Sequence, residues 1–275
     1  MPLICEMLAK AGLDFVDVDG YACTNGPGSY TGIRIGVAST KAMAYASGKG
    51  AVGVSTIETL AQPFKADTRL VCPLIDARNR RAFSAVFLGD QRILDEGNYS
   101  FDEILEFIDG FTKTMASESA SVKENADTNA DTRAGESADI RKNASSKVDK
   151  NEIVVATLKT DADTEFELIF CGDAAGLYRN DEITLNTLNS LKKSGLLSKY
   201  DFYQTDPDAV DVAKIARKRI LKFMNSEIER LETSEILIKR EFNPMLLNAV
   251  YLSASNAERM MVKKGRDMAC EQEEN

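Results

Sequence analysis

Gly26-Pro-Gly-Ser-Tyr-Thr-Gly32 is the part of the chain where residue types and spacing most plainly permit chemistry, with three glycines and one proline ahead of an alanine-rich run. A glycine-rich bend that opens a helix can hold an anion on free backbone amides. It can equally be a tight packing corner. A phosphate loop of the Gly-x-x-x-x-Gly-Lys-Ser/Thr kind needs a lysine that this stretch lacks, so Gly26, Pro27, Gly28, Ser29, Thr31 and Gly32 are read as a structural turn. Arg34 follows one helical turn later. It could bind an anion or a partner's carboxylate, or simply be solvated or paired within the chain.

Asp76, Arg78 and Asp173 stand at expected strand ends, where carboxylates can act as bases or metal ligands. Turn chemistry is the favoured reading, because Asp accepts backbone hydrogen bonds in tight turns. The chain has no histidine, which excludes imidazole-based Ser-His and Cys-His hydrolases and removes the commonest transition-metal ligand. Cys5, Cys23, Cys72, Cys171 and Cys270 are scattered, with no Cys-x-x-Cys pair. They read as reduced thiols.

The elements that would position these residues follow from periodicity and caps. Leu3, Ile4, Met7, Leu8 and Ala11 have helical spacing, with Gly12 at the C-terminal position. Val16–Cys23 reads as a strand entering the glycine turn, and 33–48 as the helix leaving it. Ala51–Val54 is a short strand, and Ser55-Thr-Ile-Glu58 a capping box. Leu70–Asp76 and Ala82–Leu88 read as a hairpin around Arg78-Asn-Arg-Arg81, Ser100-Phe-Asp-Glu103 as a second capping box, and Leu168–Cys171 as a strand. Asp206-Pro207 is expected to start a helix over 209–223.

Four segments together resemble the bacterial TsaB (YeaZ) family: GPGSYTGIRIGVASTKAMAYA at 26–46, GVSTIETLA at 53–61, PLIDARNRRAFSAVF at 73–87 and IFCGDAAGLY at 169–178. The resemblance implies an α/β, actin-like (ASKHA/RNase H-like) architecture of two lobes, each a mixed sheet with flanking helices. Periodicity alone says only mixed α/β. Family members begin with a strand meander carrying an Asp-Thr-Ser turn, whereas this sequence opens at the helix that follows it. The N-terminal Gcp-like lobe, 1–62, is therefore expected to be incomplete, with an unpaired sheet edge and a longer version of the protein to be found. The C-terminal lobe is expected at 63–111 and 153–250, with the C-terminal helix possibly exchanged between lobes, and a tail at 251–275.

Between the two parts of that lobe, residues 112–152 lack aromatic residues and are built largely from small and polar ones. Such a stretch buries too little apolar surface to offset its ordering entropy, so a disordered low-complexity insertion is expected there. Glu152–Leu158 could form a strand after it.

The resemblance further implies a noncatalytic scaffold of the complex that builds N6-threonylcarbamoyladenosine at tRNA position 37. Its partners would be a TsaD-like catalytic transferase, a TsaE-like ATPase and, in homodimers, a second copy. ATP and metal would then sit on the partners, with no cofactor on this chain. In the family, helices matching Pro2–Ala11 and 33–47 pair with the partner's, which nominates Leu3, Met7, Arg34, Ala38, Ala42 and Ala46. Packing against their own sheet would explain the apolar members of that set as well. The alternative function is an active ASKHA-type phosphotransferase or glycoprotease-like hydrolase.

A net charge of −9 argues against independent binding to a phosphate backbone, so tRNA is expected only through the complex. The sequence has neither a membrane-length apolar run nor a signal-peptide pattern after Met1, and a cytoplasmic location is expected.

Overall fold

Pro2–Ala11 forms the first helix, α1, and Gly12 closes it at φ 69°, the left-handed angle glycine adopts without a Cβ penalty. Of its residues only Leu8 is buried. The computed structural model describes residues 2–66, 68–128, 166–193, 197–228 and 244–250. The strand expected over 16–23 starts later, because Asp14 and Asp17 cap each other's backbone and fix a 3₁₀ turn at Phe15–Asp17. Strand β1 is Gly20–Thr24.

Helix α2, Tyr30–Ser47, starts three residues earlier than its apolar spacing suggests, since the Ser29 hydroxyl accepts the Gly32 amide at 3.3 Å. It leads to β2, Gly50–Val54, which lies parallel to β1 with Gly20 opposite Gly50 and Thr24 opposite Val54. Ser55 then caps α3, Thr56–Ala61.

The second sheet is built from β3 (Arg69–Asp76), β4 (Arg81–Leu88), β5 (Gln91–Ser100), β6 (Phe166–Cys171) and β7 (Leu197–Tyr203), in the spatial order β5-β4-β3-β6-β7. The β3–β4 and β4–β5 pairs are antiparallel, and β6 runs parallel to both β3 and β7. Leu70 to Ile75 are all buried, as a central strand covered on both faces requires. Helix α4, Phe101–Thr128, lays Phe101, Ile104, Leu105, Ile108, Phe111 and Met115 on this sheet. Two helices absent from the sequence reading, α5 (Ala175–Tyr178) and α6 (Glu182–Lys193), lie between β6 and β7. Neither β5 nor β7 was legible either.

The structure corrects the insertion boundary, because α4 continues to Thr128, well beyond residue 112. Thr112 and Met115 are still buried on its inner face, and Ala, Glu, Lys and Met favour helix beyond it. The possible strand at 152–158, the tail 251–275 and Cys270 lie outside the described residues.

The last long helix, α7 (Ala209–Ile228), starts after Asp208, whose carboxylate accepts the Val210 amide at 2.6 Å, and not at Asp206 as expected. The chain divides into two compact units, Met1–Pro63 with the described residues of Thr205–Asn275, and Phe64–Gln204. This groups α7 with the first unit and not with the lobe expected over 153–250, the exchange of the C-terminal helix that the sequence left open. The cause is packing: Val212, Ile215 and Ala216 of α7 share a buried cluster with Val52 and Val54 of β2. The other face of the same two-stranded sheet packs Ala51 against Ile33, Val37 and Ala44 of α2 and against Leu247. Among the described residues, no helix is long and apolar enough to cross a membrane.

Candidate functional site

The glycine turn bonds several of its polar backbone groups to its neighbours. Asn25 N–H donates to Val54 O, Thr56 N–H to Gly26 O, and Gly32 N–H to the Ser29 hydroxyl. Gly26 is buried at φ 122°, and a Cβ there would run into the carbonyl of Val250. Only glycine fits that angle and that approach. The turn is thus a packing corner that ties β1, β2, α2 and the 244–250 segment together.

Its product is the direction of α2. Ile33, Val37, Thr40 and Ala44 face inward, and on the opposite side Ile35, Ala38, Ala42, Tyr45 and Ala46 are all exposed. Ile35 is 62% and Tyr45 75% exposed, and no charged residue interrupts this stripe. Leu3 and Met7 of α1 are 80% and 61% exposed. The sequence reading named Leu3, Met7, Ala38, Ala42 and Ala46 but not Ile35 or Tyr45. Their spacing of 35, 38, 42, 45 and 46 was the available signal.

Arg34 is also exposed, but its guanidinium lies 3.9 Å from the Tyr30 ring centre and also donates to the Tyr30 hydroxyl. A cation–π contact one turn away thus occupies it.

Asp76, Arg78 and Asp173 meet at the carboxyl ends of β3 and β6. The Asp173 carboxylate accepts the Asp76 amide at 3.1 Å, and the Asp76 carboxylate accepts the Arg78 amide at 2.7 Å. Both acids therefore hold a turn. Arg78, Asn79 and Arg80 all have positive φ, near 64°, 53° and 57°, a conformation those acceptors help to pin. Gly172, at φ 113°, admits the loop because a Cβ would strike the Leu74 carbonyl. Among the described residues no group of three potential ligands could hold a metal ion.

Cys23, Cys72 and Cys171 are not poised as nucleophiles. Burial pushes the Cys72 thiol up to about 12, only partly offset by its 3.3 Å contact with the Ser84 hydroxyl, and burial also raises Cys171 and Cys23. All four described cysteines are free thiols.

A family model described as TsaD, tRNA N6-adenosine threonylcarbamoyltransferase, matches residues 1–175. The chain belongs to this family. The tRNA threonylcarbamoyladenosine biosynthesis protein TsaB of Escherichia coli (strain K12) is 32% identical over 93 residues, 33% of this chain and 40% of its own length. A tRNA N6-adenosine threonylcarbamoyltransferase of Moorella thermoacetica is 50% identical over a shorter stretch of 54 residues, 20% of this chain and 16% of its own length. The chain thus matches less than half the length of either relative. A crystal structure from Pseudomonas aeruginosa, described as an uncharacterized protein with similarity to peptidase YeaZ, aligns over 92% of this chain and 82% of its own. With a TM-score of 0.51 at 15% identity, it speaks for the fold. The resemblance of the chain to TsaB, and its mixed α/β class, are both borne out.

Proposed function

We propose that this member of the TsaD family is the noncatalytic scaffold of a tRNA-modifying complex, and that it binds and activates a TsaD-like transferase acting at adenosine 37. One observation carries the reading: the uncharged outer stripe of α2, Ile35, Ala38, Ala42, Tyr45 and Ala46. Contiguous apolar surface of this kind marks an interaction site, and alanines at helical spacing allow a partner helix to approach closely. Leu3 and Met7 add adaptable apolar surface on α1.

The chemistry belongs to the partners. A chain without histidine offers no imidazole base, and its glycine turn lacks the lysine of a phosphate loop. ATP is assigned to a TsaE-like subunit, metal to the transferase, and the complex to the cytoplasm. Net charge −9 makes tRNA contact depend on the transferase.

The test is co-purification of the full chain with the purified transferase, followed by a threonylcarbamoyladenosine assay on unmodified tRNA. Ala42→Glu should reduce capture by about tenfold or more at unchanged melting temperature, since Ala42 is exposed, while Ala42→Ser is captured normally. Undiminished capture of Ala42→Glu removes the docking face. ATP turnover or adenosine modification by the isolated chain removes the scaffold reading itself.

A further inference from the structure

Helix α7 concentrates charge of one sign. Between Val212 and Ser226 the sequence has five lysines and arginines and no aspartate or glutamate, in a chain whose net charge is −9. Within that run Lys214, Lys218 and Lys222 recur at every fourth residue of the helix, one row with a rise of about 6 Å per step. Lys214 and Lys218 are exposed. The helix residues that border β1 include Ala209, Val212, Ala213 and Ala216, and neither Lys214 nor Lys218 is one of them.

Local stability does not account for this row. Like charges four residues apart repel and weaken a helix. The helix dipole favours cations only within the last turn, and the last turn of α7 holds no basic residue. Packing uses a different side chain: Arg219 donates to Gly53 O at 2.8 Å and to the Glu58 carboxylate, which ties α7 to β2 and α3. Lys214 lies 2.8 Å from the Asp211 carboxylate, yet its side chain is still 60% exposed. The row keeps a repulsion that a polyanion lying along it would relieve.

We propose that the lysine row of α7 is a secondary contact for the phosphate backbone of tRNA, an inference that rests on the reading of the chain as part of a tRNA-modifying complex. Lysines repeating along one line of a helix suit the regular succession of phosphates along a strand. As point charges on flexible stems, they follow a backbone without reading bases.

The overall charge sets when the contact acts. An isolated chain of net charge −9 repels RNA at long range, so the row works once the transferase holds the tRNA against it. The stripe assigned to the transferase belongs to α2, and α2 and α7 pack on opposite faces of the small sheet, so one contact does not consume the other.

The test is binding of unmodified tRNA to the purified complex of the full chain with the transferase, read by fluorescence anisotropy between about 50 and 200 mM salt. Lys218→Gln combined with Lys222→Gln should weaken binding by about tenfold and make the slope of log affinity against log salt shallower by about one for each lysine, equally for different tRNAs. Arginine at both positions should keep wild-type binding. Lys192→Gln with Lys193→Gln removes the same charge from the exposed end of α6 and should leave the slope unchanged. Capture of the transferase is measured on the same samples. Normal capture with an unchanged slope in the α7 variant overturns this inference alone, and an equal loss in the α6 variant overturns it by making net charge the cause. Release of another protein subunit by the α7 variant, at unchanged tRNA affinity, gives the face to a protein and overturns it too. A wild type that captures no transferase brings down the scaffold reading, and this inference with it.

Discussion

Burial decides the behaviour of single residues here more than chain position does. Cys72 and Cys171 sit in the second sheet with their thiols held neutral by desolvation, while Cys5 is exposed on α1. Brief iodoacetamide treatment at pH 8 should therefore label Cys5 in the native protein, and Cys72 and Cys171 only after denaturation, as read by mass spectrometry of the peptides. Native labelling of Cys72 at the rate of Cys5 would mean that the sheet opens. The sign of the linkage follows from the direction of the shift: Cys72 is neutral to about 12 when folded, against an ordinary value of 9.0. Its contribution to stability is full below 9.0 and is lost as pH rises between those values. Sequence spacing was enough to class these as unpaired thiols. It gave no burial, and so could not separate Cys5 from Cys72.

At the scale of elements, starts were legible and extents were not. Ser100 and Glu103 cap each other across the first turn of α4, the Glu103 amide reaching the Ser100 hydroxyl at 3.2 Å and the Ser100 amide the Glu103 carboxylate at 2.5 Å. The Ser100 amide first, and its hydroxyl second, hold the Glu103 carboxyl below the usual range. Ser100→Ala should lower stability by about 1 kcal/mol, the usual loss for a helix cap, and raise the Glu103 pKa in an NMR titration. The Ser100 amide, the larger cause, survives that substitution, so the rise should be partial, and an unmoved pKa would show that the hydroxyl contributes nothing. The end of α4 escaped reading because the polar stretch that follows Met115 suggests disorder by composition, yet carries Ala, Glu and Lys among its polar residues. β5 escaped because Gln91-Arg-Ile-Leu-Asp-Glu-Gly-Asn-Tyr-Ser100 is a mostly polar edge strand with little apolar alternation. The hairpin before it was plain, since Leu70–Ile75 and Ala82–Leu88 are dense in apolar residues around a polar turn.

For the whole molecule, the informative feature is the lobe boundary, where the exchange of the C-terminal helix that the sequence left open is the one found. Chain order puts α7 after β7, but Val212, Ile215 and Ala216 bury against β2, a long-range contact that no local pattern announces. That contact gives the small sheet two covered faces, α2 on one and α7 on the other, and each helix then presents a separate outer surface. If α7 is what holds the small sheet from its second face, emptying that contact should unfold the first unit. Ile215→Ala should cost about 2–5 kcal/mol in chemical denaturation, the usual loss for a buried isoleucine. An unchanged denaturation midpoint would mean that the sheet stands without α7, and the assignment of that helix to the first unit would fall.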